Sequence, residues 1–238
     1  MKLLIGCPVK NRAWIMEQWF DHVYRSCSKA DIDPIFVFVS GRSSDRTDTI
    51  IKNRVSSFAH IEKTLTYEVE LPEGIDRSWS HARIQSMVSI RNQLLKLVRE
   101  LEPEYFLSLD SDILVSDDLI KNLLETLSSE NSPDAVGGRC YMTRWNNCSS
   151  YGKIADDVDF KRGTDFEGVC QVNVIMAIKM MKPSAYYVDY SFHQQGEDIG
   201  WSKNCRQSGL KLMWDGRTIN KHILEKDMLN SIDERVGF

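Results

Sequence analysis

Apolar residues follow two rhythms along this chain, and the alternation between them predicts the architecture. Short apolar runs at Lys2 to Cys7, Ile35 to Val39, Thr64 to Val69 and Leu107 to Val115 read as strands of a buried sheet. Between them the spacing changes to three and four residues. Trp14, Ile15, Trp19, Val23 and Cys27 predict a helix over Ala13 to Ser28, and another leaves the turn at Ser40 to Thr47 and runs to about Val55. Ile84, Met87, Val88, Leu94, Leu95 and Val98 stripe a long helix from about Ser80 to Leu101. Strand, loop and helix repeating in this way predict an α/β fold with a mainly parallel central sheet.

The second half is less regular. Asp117 and Asp118 open a helix to about Leu127, since acids in a first turn favour the helix dipole. Ala135 to Gly138 and Gly168 to Ile178 read as strands, and Leu210 to Trp214 with Thr218 to Leu224 as a closing strand pair. Gln194 to Trp201 leads into a helix that ends near Ser208 and Gly209. Periodicity fades between Arg144 and Asp165, which reads as a loop over a site or a surface excursion. No low-complexity linker, repeat or charge block divides the chain, so a single domain spanning 1–238 is expected.

Composition narrows the class. With 238 residues, 42% of them hydrophobic, the chain can bury a sizeable core, and a net charge of −4 with mixed signs argues against a nucleic-acid binder held by bulk charge. The apolar start is too short for a signal peptide, and no run approaches the ~20 apolar residues of a membrane helix. No transmembrane segment and a cytoplasmic location are therefore expected. Six cysteines without a Cys-x-x-Cys pair read as reduced, buried thiols. Asn147-Cys148-Ser149 matches a glycosylation acceptor and means little without a secretory signal.

Candidate chemistry gathers where strands end. The run Tyr105 to Leu109 leads into Asp110-Ser111-Asp112, and on an extended strand the two carboxylates point the same way. Hard oxygens at that spacing suit Mg²⁺ or Mn²⁺ holding a phosphate, and equally suit a solvated acidic turn. Pro8, Lys10 and Arg12 stand at the exit of the first strand. Arg91 lies inside the apolar stripe of its helix and needs an anion there, while Arg83 near the helix start is directed toward the edge that carries Asp110 and Asp112. Glu197 and Asp198 begin a helix, where acids also serve the dipole alone. His222 is a late imidazole, structural or a third ligand for Mn²⁺.

Taken in order, the basic strand exit, the Ser43-Ser44-Asp45-Arg46-Thr47 turn, the Arg-bearing helix, Asp110-Ser111-Asp112, Gly196-Glu197-Asp198 and His222 resemble the GT-A fold glycosyltransferases, in particular family-2-like members. The resemblance covers roughly Lys2 to His222. It implies a Rossmann-like GT-A domain with a smaller antiparallel part in its C-terminal half. Residues 1–115 would form the half that binds the nucleotide sugar and 116–238 the half that binds the acceptor. It also implies Asp112 and His222 as metal ligands, with Asp110 on the metal's water shell or the donor ribose. Pro8, Lys10, Arg12, Ser40, Asp45, Arg83, Arg91, Asp110 and Ser111 would line the donor, a nucleoside-diphosphate sugar. Asp198, with Glu197 beside it, would supply the base of an inverting transfer. Ser40 and Gly41 stand where the family carries an Asp that reads the base. A narrower likeness joins Ser40 to Thr47, Ser86 to Leu95 and the Asp110 strand to the amino-terminal domain of collagen-type galactosyltransferases.

Other chemistries share single features. An aspartate-dependent phosphohydrolase also ends an apolar strand in Asp-x-Asp, but near the amino terminus and followed by a pair such as Gly-Thr, where this chain has Ile113-Leu114. A nucleotidyltransferase would carry a glycine-rich phosphate loop after the first strand. A non-catalytic sugar-binding module would tolerate loss of Asp112 and Asp198. The acceptor is not legible: a glycan, protein, lipid or modified nucleobase hydroxyl all fit, with Trp145 and Tyr151 in the Arg144 to Asp165 segment as stacking candidates.

Overall fold

The computed structural model of the chain describes residues 1–57, 64–68, 80–130, 132–142, 147–148, 151–155, 159–162 and 167–230. Its centre is β1 (Leu3–Val9), flanked by β2 (Ile35–Ser40) and β4 (Tyr105–Leu109), with β3 (Thr64–Glu68) beyond β2, all four parallel. The sheet continues past β4 through β12 (Ile178–Met181), β6 (Ala135–Met142), β13 (Leu212–His222) and β10 (Val169–Gln171). β6 and β13 run with β1, while β12 and β10 oppose it, so most of the sheet is parallel. Two short strands pair beside the C-terminal ends of interior strands, β5 (Ile113–Leu114) on β13 and β7 (Asn147–Cys148) on β6. A second, antiparallel sheet is formed by β8 (Tyr151–Ala155), β9 (Asp159–Arg162) and β11 (Val174–Ile175).

Alternation along the central strands sorts their side chains onto two cores. Leu3, Ile5, Cys7, Phe36, Phe38, Leu107 and Leu109 face one layer, formed by α1 (Met16–Lys29), α2 (Thr47–Ser57) and α4 (Leu119–Leu127). Leu4, Ile35, Val37, Val39 and Phe106 face the other, formed by α3 (His81–Leu101), α5 (Pro183–Tyr186) and α6 (Glu197–Gln207). Burial on both faces explains why these strands are written as unbroken apolar runs. Gly6 falls on the α3 face, where a Cβ would stand 2.5 Å from the Phe106 ring.

Several elements differ from the pattern reading. Pro8 does not close β1, which continues to Val9; it lies past Gly6, the last residue paired with β4, where a missing N–H breaks no ladder on that side. β4 stops at Leu109 and the chain turns, with Ile113 N–H donating to the Asp110 carbonyl, so Asp110 and Asp112 do not share a strand face. α4 starts at Leu119, and Asp118 makes no side-chain cap: Asp117 and Asp118 instead pair with Arg25 and Lys29 of α1. Gly168 to Ile178 is broken into short strands around Ala177, whose φ of 53° no strand accommodates. The Arg144 to Asp165 segment carries β7, β8 and β9; Trp145 lies outside the described residues. The expected closing pair is the single strand β13, bulged between Asp215 and Asn220. Among the described residues no helix is long and apolar enough to cross a membrane.

The segment before α6 is seated by a glycine. A Cβ on Gly200 would meet the Ser191 carbonyl oxygen at 2.0 Å, and backbone cannot yield as a side-chain tip can. Gly200→Ala is expected to lower stability by about 1–3 kcal/mol in urea denaturation, whereas Gly209→Ala, with nothing near its Cβ but a φ of +75°, is expected to cost less, about 1 kcal/mol.

Candidate active site

Charged side chains from elements far apart in sequence meet above the ends of β1 and β4. Asp112 Oδ2 accepts from Arg12 Nη2 at 3.0 Å, and its Oδ1 lies 3.2 Å from His222 Nε2. Pairing of β13 with β5 sets His222 opposite Ile113, next to Asp112, and the Ile223 N–H donates to the Asp112 carbonyl. The bulge decides which face His222 presents. Between Asp215 and Asn220, β13 uses three more residues than β6, an odd excess that reverses the facing of everything after it. Asn220 holds this arrangement, donating to the Arg139 carbonyl and accepting from Ser116 N–H.

The pair is electrostatically coupled. Burial opposes the Asp112 charge, but His222 and Arg12 outweigh it and hold the carboxyl well below the usual carboxylate range. Burial likewise works against a charged His222, and Asp112 outweighs it, raising the imidazole above its ordinary value. Two cis ligands each about 2.1 Å from one ion lie about 3 Å apart, so Asp112 and His222 fit adjacent positions on one Mn²⁺ or Mg²⁺. Among the described residues no group of three or more His, Cys, Asp or Glu converges, so further ligands would come from diphosphate and water.

Asp110 turns away from that pair. Its Oδ1 accepts from Arg91 Nη2 at 2.6 Å, and Arg91 also donates to Ser108 Oγ at 3.2 Å and stands 3.6 Å from Glu197 Oε1. The anion demanded by a guanidinium in an apolar stripe is thus supplied by Asp110, just past β4, and Glu197 of α6. Asp198, beside Glu197, pairs with Lys179 of β12, and its Oδ2 takes the Ala177 N–H at 3.4 Å. Lys179 is fully buried, beneath the rings of Tyr190 and Trp201. Burial disfavours the Asp198 charge, but Lys179 and Arg91 prevail and lower its pKa; burial and the Asp198 charge raise that of Glu197. Lys179, Tyr190 and Trp201 were not singled out from sequence. The usable signal was Lys179 itself, a lone charge in Ile178-Lys179-Met180-Met181, as Arg91 was in its helix.

The remaining candidates make contacts of their own. Asp45 accepts from Ala13 N–H at 3.1 Å and from the N–H and hydroxyl of Thr47, whose Oγ1 accepts from Arg12 N–H at 2.7 Å. Its carboxylate thereby latches the β1 exit to the start of α2. Ser40 is buried and donates to Asp48, Ser111 is buried, Lys10 is exposed, and Arg83 makes no ion pair among the described residues. A cleft of about 670 Å³, lined by His22, Leu114 and Lys221 among others, does not include Asp112 or His222.

No family profile and no curated protein matches this sequence. Solved structures match its fold. S. aureus TarS 1–349 in complex with UDP-GlcNAc superposes with a TM-score of 0.63 at 14% identity, over 94% of this chain and 59% of that one. GalNAc-T7 with UDP, GalNAc and Mn²⁺ gives 0.63 at 12%, over 94% of this chain and 44% of that one. The chain has the GT-A fold. It spans about three-fifths or less of the structures it matches. In GT-A terms, the carboxyl edge of β1 and β4 is where Arg12, Asp110 and Asp112 stand.

Two predictions test the electrostatics. Lys179→Met leaves Asp198 buried without its cation and is expected to cost about 3–5 kcal/mol in urea denaturation, with Lys179→Met/Asp198→Leu recovering part of the loss. For Asp45, burial raises and the Thr47 and Ala13 hydrogen bonds lower the pKa, with a net depression in the fold. The stability it contributes is therefore present above about pH 4 and lost as pH falls through the folded value. The stability gap between wild type and Asp45→Asn is expected to narrow from pH 6 to pH 3.

Proposed function

We propose that this protein is a metal-dependent glycosyltransferase that moves a sugar from a nucleoside-diphosphate sugar to an acceptor hydroxyl with inversion. The observation that carries the reading is the meeting, on a GT-A sheet edge, of the Asp112–His222 pair with the Glu197–Asp198 pair across the Asp110–Arg91 bridge. UDP-GlcNAc in the TarS crystal, and UDP, GalNAc and Mn²⁺ in that of GalNAc-T7, support a sugar nucleotide and a divalent ion here. Residues 1–115 form the donor half and 116–238 the acceptor half. The sugar is a hexose or pentose, and the acceptor is a hydroxyl of a glycan, protein, lipid or modified nucleobase.

Each group has a definite task. Asp112 and His222 hold the ion, which when bound supplies positive charge against the leaving diphosphate. Arg91 is fixed by Asp110 and Glu197, so its charge is oriented before substrate arrives. Asp110, Ser111, Pro8, Lys10, Ser40 and Arg83 flank the donor, and Asp45 keeps the Arg12 loop in place. The acceptor oxygen bonds to the anomeric carbon as the bond from that carbon to the diphosphate oxygen breaks. Asp198, held by Lys179, receives the acceptor's proton, and Glu197 beside it shares the acidic environment. One displacement inverts the anomeric centre.

Incubation with Mn²⁺ and a panel of sugar nucleotides is expected to release nucleoside diphosphate from one of them. Asp198→Asn is expected to lower turnover by about 10²–10⁴-fold while retaining UDP binding, and Asp112→Asn to lose Mn²⁺ dependence. Hydrolysis of a generic phosphate ester with no sugar nucleotide turned over would overturn the reading, as would full activity in both variants.

A further inference from the structure

The guanidinium of Arg12 and the ion proposed for Asp112 claim the same carboxylate. Arg12 Nη2 stands 3.0 Å from Asp112 Oδ2, on a side chain that is only 14% exposed. A charge so far removed from water requires a cation beside it at all times. The main chain at Arg12 is pinned, its N–H on Thr47 Oγ1 and its carbonyl accepting from Ile15 and Met16. The guanidinium is held by Asp112 and lies 6.0 Å from the centre of the Trp14 ring, with donors to spare. Nε is buried with no hydrogen-bond partner among the described residues, and Nη1 reaches only the Lys10 carbonyl at 3.5 Å. Unused donors of a planar fork, on a fixed backbone beside a carboxylate, suit a second anion of phosphate geometry.

Charge balance gives the exchange a direction. Without ligands Arg12 and His222 both face Asp112, and Arg91 faces Asp110. A divalent ion on Asp112 and His222 would leave Arg12 in surplus, and a diphosphate is the anion that arrives with it. Building on the transferase reading, we infer that Arg12 is an exchangeable counter-cation that rests on Asp112 and passes to the donor's diphosphate when a divalent ion takes its place. Arg12 thus opposes the ion in the absence of nucleotide and favours it in its presence, and by linkage the ion and the nucleotide strengthen each other's binding equally.

The test is a Mn²⁺ titration followed by the electron paramagnetic resonance of the free ion, with no turnover required. Wild type, Arg12→Met and Arg12→Lys are compared alone, with UDP, and with inorganic pyrophosphate, which supplies a diphosphate whatever base the donor carries. Arg12→Met is expected to bind Mn²⁺ alone about tenfold more tightly than wild type. UDP or pyrophosphate is expected to strengthen Mn²⁺ binding about tenfold in wild type and less than about twofold in Arg12→Met, values within the usual range of coupling between sites. Arg12→Lys, which keeps the charge without the fork, is expected to fall between them and serves where Arg12→Met does not fold. Equal or weaker Mn²⁺ binding by folded Arg12→Met, with Asp112→Asn losing the ion, overturns the exchange and leaves the transferase reading intact. No Mn²⁺ binding by wild type under any condition overturns the metal assignment and the exchange together.

Discussion

Carboxylates at the edge of this sheet are largely withdrawn from water, and each is held beside a cation delivered by a different part of the chain. Asp112 draws Arg12 from the β1 exit and His222 from the end of β13. Asp110 and Glu197 share Arg91 of α3, and Asp198 takes Lys179 of β12. A charge in such surroundings without its partner costs several kcal/mol, so these pairs restrict how the surrounding elements pack. They tie α3 to α6, β12 to α6, and β1 to β13, adding directional contacts to the apolar cores these elements already share.

The same constraint would prepare the site for the proposed chemistry. Groups that must act on a developing charge are most effective when already oriented, since no free energy is then spent on turning them during reaction. Arg91 is fixed by the carboxylates of Asp110 and Glu197 and by the Ser108 hydroxyl. Lys179 is fixed by Asp198 under two aromatic rings. Arg12 is held more loosely, its backbone latched through Thr47 and Asp45 while its guanidinium meets one carboxylate and, at 3.5 Å, the Lys10 carbonyl. Rigidly and more loosely held cations thus stand side by side, the former suited to orientation and the latter, on our proposal, to charge balance as ligands come and go.

How far sequence could be read follows from the range of the interactions involved. Apolar periodicity located β1, β2, α1 and α3 to within a few residues, because burial on a sheet or helix face is written locally, but it ran β4 on to Val115 through the turn that ends it at Leu109. It misread β13 as two strands, since the bulge at Asp215 interrupts the pattern without ending the strand. It read the Asp117–Asp118 pair as a helix opening, when the partners that occupy those carboxylates, Arg25 and Lys29, lie some ninety residues earlier. Asp110 and Asp112 were placed on one strand face, and a turn that depends on β5 pairing with β13 separates them.

By itself the sequence determined the α/β class, the succession of central strands and helices, and the residue types present at the strand ends: two carboxylates after β4, basic groups after β1, an acid pair opening α6 and a late histidine. It also held a demand for partners, since Arg91 and Lys179 sit in apolar runs that no unpaired charge tolerates. Only the tertiary structure decided who the partners are. The antiparallel insertion of β12 between β4 and β6 brings Lys179 beside Ser108 and Arg91, and the bulged register of β13 turns His222 rather than Lys221 toward Asp112. Hydrophobic patterning is a short-range code that repeats every two or four residues, whereas these ion pairs join positions up to 110 residues apart, and their geometry exists only once the sheet order is set.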